Sequence, residues 1–270
     1  MRKLTIKYSI LIIFVAFSQI LNGQNFCDFI QKVQTYQDSV RLKSKGDFDI
    51  LDTATFNLNT YLNFYDKLSL QPEIKIEVFF LDNFFDGNPY LIAIKNNQNL
   101  ESIIDSLYYR SKTLNLATDP IETKRSELFY KFLNDPNFKA RNKFTPEDSE
   151  YGAFQFLFFA EMGEQFALKW HSNYNRKYII CSSDMLEQYI QEVGNSELFT
   201  VDKNSLEKLK GSSLNTIIET SEKFYKITWI ENRPHSGIFR CTYRIERKFP
   251  FKIVKTKENK LVEIGTNFRY

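Results

Sequence analysis

Residues 223–268 read KFYKITWIENRPHSGIFRCTYRIERKFPFKIVKTKENKLVEIGTNF, and this stretch decides the class of fold. Four runs alternate apolar and polar residues: KFYKITWIE, IFRCTYRIER, PFKIVKTK and KLVEIGTNF. Successive side chains of a strand point to opposite sides, so alternation at period two predicts four half-buried strands. The joints are NRPHSG, a corner at 248–250 and ENK. All three are short and rich in turn residues, which predicts an antiparallel meander. One face then collects Tyr225, Ile227, Trp229, Phe239, Cys241, Tyr243 and Ile245, continuing through Phe251, Ile253, Val262, Ile264 and Phe268. The other carries Lys226, Thr228, Arg240, Thr242, Arg244, Glu246, Lys252 and Glu263. Removing the aromatic face from water is worth about 25 cal/mol per Å², and this drives the sheet onto helices elsewhere in the chain.

Working upstream, Ser183 or Asp184 caps a predicted helix with Leu186, Tyr189, Ile190 and Val193 on one side, ended by Gly194 or Asn195. Before it, GAFQFLFFAE (152–161), QFALKWH (165–171) and RKYIICS (176–182) read as a three-stranded meander. Residues 134–150, NDPNFKARNKFTPEDSE, hold two prolines and little periodicity, which marks a linker or boundary. The first half is mostly helical. Apolar residues at Phe26, Phe29, Ile30, Val33, Tyr36 and Val40 predict a helix to about Lys43. A second helix, capped by Asp52 or Thr53, is expected to run to the break at Gln71-Pro72. A hairpin follows over 73–95, then helices near 99–111 and 120–133. The class is therefore α+β, with regions at 1–23, 24–145 and 146–270: N-terminal helices with a β-hairpin, then antiparallel meanders with a helix packed on a four-stranded sheet.

Arg2, Lys3 and Lys7 precede an apolar run from Ile10 to Phe17, followed by small and polar residues, the layout of a cleaved secretory signal. Eight residues are too few to cross a bilayer, and Cys27 stands too far from a small residue for lipid attachment. Cleavage after Ser18 or Gly23 sends the chain to a secreted or periplasmic site. Loss of residues 1–23 leaves 33 Lys and Arg against 33 Asp and Glu. A balanced chain gives no global electrostatic case for nucleic acid or an anionic membrane. Cys27, Cys181 and Cys241 allow one disulfide in an oxidising compartment, with three possible pairings. The 26 Phe, 15 Tyr and 2 Trp predict a thick aromatic core, or an aromatic-lined groove.

Chemistry-bearing motifs are scarce. Two histidines, His171 and His235, restrict hydrolytic and metal sites, and in a turn through SNYN His171 stands some strand residues away from Cys181. Ser205-Leu206-Glu207-Lys208 has the Ser-x-x-Lys spacing of acyl-transferring enzymes but lacks their companion motifs, since Lys257 stands where a glycine follows the Lys-Thr. The acidic runs at Asp47, Asp49 and Asp52 and at Glu147, Asp148 and Glu150 fit no calcium loop. No phosphate loop or dinucleotide fingerprint occurs, and nine glycines leave little room for one. The distinctive remainder is the basic sheet face. These features predict an exported binding protein without cofactor or metal. It would take an acidic protein or an anionic ligand through Arg240, Arg244, Lys252, Lys226 and His235, or through an aromatic cleft between the halves. The alternative is a hydrolase built on dispersed carboxylates or His235.

Overall fold

A computed structural model describes residues 26–40, 56–80, 89–113, 131–166, 176–194, 199–233 and 236–266. They group into two compact units, one within Met1–Ser39 and Asn173–Tyr270, the other within Val40–Ser172. The expected signal segment, the caps expected at Asp52 and Thr53, residues 120–130 of the fourth expected helix, and 167–175 with His171 lie outside the described residues.

The first element, α1 (26–40), buries Phe26, Phe29, Ile30 and Val33, the positions its three- and four-residue spacing selects. In the second unit α2 (Leu58–Leu62) is much shorter than expected. Asn57 caps it, its side chain accepting from the Thr60 amide at 2.9 Å. The chain then turns and enters β1 (Leu68–Leu70), because these residues find a strand partner further on. The hairpin forms as expected, β2 (Ile74–Phe80) pairing antiparallel with β3 (Pro89–Lys95). The helix α3 (Leu100–Thr113) follows, Asn99 accepting from the Ser102 amide at its start, and residues 131–134 are again helical. The Pro-containing stretch 134–150 is ordered: a 3-10 turn (Ala140–Lys143) leads into β4 (Phe144–Pro146), which pairs with β1.

The expected strand at 152–161 is a helix, α4 (Glu150–Met162). Ser149 caps it, accepting from the Gly152 amide at 3.0 Å. It is buried on every side, including Ala153, Phe154, Phe156, Leu157, Phe158 and Phe159, so no polar face breaks the apolar run and periodicity cannot separate it from a buried strand. Gln155, fully buried, donates to Asp66 at 2.8 Å and accepts from the Lys67 amide at 2.9 Å. Aromatic rings pack directly on one another, Phe56 stacking on Phe166 at 4.1 Å and Tyr65 meeting Phe159 edge-on at 5.0 Å, with the Tyr61 hydroxyl donating to the Gly163 carbonyl at 2.8 Å. With 152–161 helical, the expected three-stranded meander does not form.

In the first unit β5 (Tyr178–Ile179) is all that remains of the run at 176–182. The helix α5 (Ser183–Gly194) is capped by Ser182, whose hydroxyl accepts from the Met185 amide at 3.2 Å, in place of Ser183 or Asp184. Then come β6 (Phe199–Val201), α6 (Lys203–Lys210), β7 (Ile217–Thr220), β8 (Phe224–Arg233), β9 (Gly237–Glu246), β10 (Ile253–Val262) and β11 (Ile264–Thr266). The sheet order is β10-β9-β8-β5, with β7 also on β8. The third alternating run continues as one strand through Glu258-Asn259-Lys260, where a turn was expected, and takes in the start of the fourth run as far as Val262. Two register shifts, one between Lys255 and Lys257 and one between Lys260 and Val262, each insert a residue. The two shifts cancel in parity, so Val262, nine residues beyond Ile253 on the same strand and opposite Ile238, lies off the aromatic face on which a separate fourth strand after a turn had placed it. Val262 and Ile264 instead join Ile230, Ile238 and the leucines of α5 and α6 in one cluster. β11 leaves the meander to pair with β6. The architecture is α+β, an antiparallel sheet with helices packed on it.

Cys27 of α1 is disulfide-bonded to Cys181, which resolves the three possible pairings and leaves Cys241 as the free, buried thiol. Gln34 braces the same junction, accepting from the Ile179 amide at 2.8 Å.

Candidate functional site

Two arrangements on the C-terminal sheet hold the charged groups. The first lies on the aromatic face. β8 and β9 pair Ile227 with Tyr243, Trp229 with Cys241 and Glu231 with Phe239, so Glu231 stands in line with the buried apolar row. It is fully buried. A buried carboxylate must be paired and hydrogen-bonded, and this one is. Trp229 Nε1 donates to Oε2 at 2.9 Å, the Tyr243 hydroxyl to the same oxygen at 3.2 Å, and Arg233 Nε to Oε1 at 2.8 Å. Arg233 Nη2 also donates to Glu231 and reaches Glu258 Oε2 at 2.5 Å and Cys241 Sγ at 3.5 Å. Lys255 closes the network at 3.0 Å from Glu258.

The electrostatics follow from these contacts. Burial pushes the Glu231 carboxyl up, but hydrogen bonds from Arg233 and Trp229 outweigh it and hold the group below the usual carboxylate range. The hydrogen bond from Arg233 outweighs the opposing effect of burial and, with further help from Lys255, lowers Glu258 to about 2. Burial disfavours the Arg233 charge, yet Glu258 and Glu231 more than offset it and raise its pKa. Burial, then the Glu231 charge, push the Cys241 thiol up to about 12, so it is neutral and a poor nucleophile near pH 7. Glu231, Cys241 and Glu258 offer three ligating atoms within 4.8 Å of one another. One nitrogen of Arg233 contacts all three residues, so the chain's own cation fills the position a metal would take. Ionised acids already engaged by two cations, beside a neutral thiol, are not poised for proton transfer or attack.

The second arrangement is the opposite, basic face. Register places Lys226 across from Arg244, Thr228 across from Thr242 and Ile230 across from Arg240, and Lys252 follows on the same side opposite Glu246. One end of this face is covered where Ile230, Ile238 and Val262 meet Leu186, Leu206 and Leu209. The other end is open, with Arg244 and Lys252 exposed. Lys226 is paired with Glu219 at 2.8 Å. Arg244 lies over the Phe224 ring at 5.5 Å, and Arg240 points Nη2 at the Ser213 carbonyl at 3.4 Å. Among the described residues no carboxylate forms an ion pair with Arg240, Arg244 or Lys252. A shallow cleft of about 220 Å³ runs beside Arg240, lined also by Ser212, Ser213, Ile217, Thr228 and Ile230. The structure thus gathers four of the five residues singled out from sequence, and His235 lies outside the described residues.

The network around Glu231 is what sequence reasoning missed. Its signal was present: Glu231 has the parity of Tyr225, Ile227 and Trp229, and an acid at an inward position demands a partner. Comparison with protein-family models, with curated proteins and with solved structures finds no match to this chain.

Proposed function

We propose that this is an exported, non-catalytic binding protein that docks an anionic partner on the open part of the basic sheet face. One observation carries the reading: β8–β9 register sets Lys226 directly opposite Arg244, with Arg240 and Lys252 on the same side. Like charges directly across a strand pair are destabilising, and among the described residues a carboxylate pairs with Lys226 and with none of the other three. Retaining the other cations together favours a ligand that supplies negative charge. Export is supported by the basic-then-apolar N-terminal layout and is compatible with the Cys27–Cys181 disulfide, which belongs to oxidising surroundings.

The test is retention of the purified protein on heparin and on immobilised polyglutamate. The wild type is expected to bind both and to elute with salt, and Arg240→Glu/Arg244→Glu/Lys252→Glu to flow through with an unchanged circular dichroism spectrum. Equal retention of the triple variant overturns the reading.

A further inference from the structure

The corner between β9 and β10 ends the basic face in Arg247-Lys248-Phe249-Pro250-Phe251-Lys252. Phe249 is 68% exposed, and the other large apolar residue exposed to such a degree among the described residues is Ile217, at 52%. Ile217 pairs opposite Thr228, which puts it on the basic face as well. Ile217 lines the cleft beside Arg240, and Phe249 sits in the corner next to the exposed Lys248. From Arg244 to Lys252 there are four cations, Arg244, Arg247, Lys248 and Lys252, against one acid, Glu246. The corner is fastened at several points. The Phe251 amide donates to the Lys248 carbonyl at 2.8 Å, the Arg247 amide to Lys223 at 3.0 Å, and the Arg247 guanidinium to the Ser221 carbonyl at 2.9 Å. Phe251, held at a positive φ of 50°, meets the Phe249 ring edge-on at 6.0 Å. A turn fixed in this way holds an apolar ring out into solvent in a segment where Lys248 and Lys252 are exposed as well.

Resting on the anionic-partner reading, we propose that this partner is a bilayer surface containing anionic lipids, with Phe249 entering the headgroup boundary and Lys248, Lys252 and Arg244 meeting phosphates. The shape of the corner favours lipid over an acidic protein. A protruding ring needs a matching pocket on a folded partner, whereas a fluid bilayer closes around it, and apolar insertion beside basic residues is the combination that binds an interface. The even balance of charge over the mature chain does not oppose this, because attraction to a charged surface is screened beyond about 10 Å and depends on the local patch.

The experiment is flotation with vesicles of phosphatidylcholine alone and of phosphatidylcholine mixed with phosphatidylglycerol. Binding is expected only to the mixed vesicles and to weaken with salt. Phe249→Ala, an exposed change that leaves the fold intact by circular dichroism, should weaken it about tenfold, and Lys248→Ala or Lys252→Ala about fivefold each. Phe249→Trp should show a blue shift in emission with mixed vesicles that the wild type lacks. Equal behaviour on both vesicle types, or no effect of Phe249→Ala, overturns the inference. If retention on polyglutamate persists while vesicles fail, the partner is an acidic macromolecule, and the basic-face reading stands without this one. Failure of both removes both.

Discussion

Glu231 shows how a single side chain is constrained by the strand that carries it. Its position in the alternation sends it inward, and Arg233, two residues further along β8, supplies the counter-charge from the same side. Removing one member of a buried pair strands the other, which costs far more than the pair contributes as a whole. Arg233→Ala should therefore lower stability by about 3–5 kcal/mol in urea titrations. Adding Glu231→Leu to it should recover much of the loss, because the carboxylate is then gone. A single variant as mild as Lys226→Ala, which touches a half-exposed pair, would contradict this account of the network. Most of the cluster was legible in the sequence: Glu231, Arg233 and Cys241 share one parity. Glu258 was not, because the register shift after Lys255 changes which side of β10 residues 257–260 face, until the second shift restores it.

At the scale of elements, legibility followed polarity. The helices 26–40 and α5 and the hairpin β2–β3 each keep a polar side, so their periods are readable. α4 keeps none, and its run of aromatics was consistent with either structure until its surroundings were known. β10 carries Lys257, Glu258, Asn259 and Lys260 straight through a segment of turn-like composition because β9 offers it partners along that length. Gly237 opens β9 at φ 123°, where a Cβ would sit 2.2 Å from the Val262 carbonyl oxygen, so the position admits no side chain. The link from α1 to the residue after β5 and Ile180 closes a separation of 154 residues. A loop this long restricts the unfolded chain strongly, and Cys27→Ser/Cys181→Ser is expected to lose about 2–5 kcal/mol. An unchanged midpoint in thermal or urea unfolding would show that the Gln34 and Asp38 contacts with Ile179, Tyr178 and Arg176 suffice to hold the helix.

For the whole molecule, the paired carboxylates set the response to acid. Glu231 and Glu258 titrate lower in the folded chain than in the unfolded one, so their contribution is fully present above the unfolded value of about 4.3 and is lost as pH falls through the folded values. For Glu258 that window reaches down to about pH 2. Thermal midpoints should fall steeply across it, and Glu258→Gln should flatten the slope, as measured by calorimetry at successive pH values. An identical slope would mean that other carboxylates govern acid unfolding. By itself the sequence determined the α+β class, the strands β8 and β9 with the start of β10, and the side of the sheet that carries Lys226, Arg240, Arg244 and Lys252, since the parity of a strand is a local property of its backbone. The tertiary structure decided that 150–162 coils, that Cys27 takes Cys181 rather than Cys241, and that Glu258 meets Arg233. These outcomes depend on neighbours distant along the chain and on inserted residues that reverse parity, and neither leaves a local pattern to read.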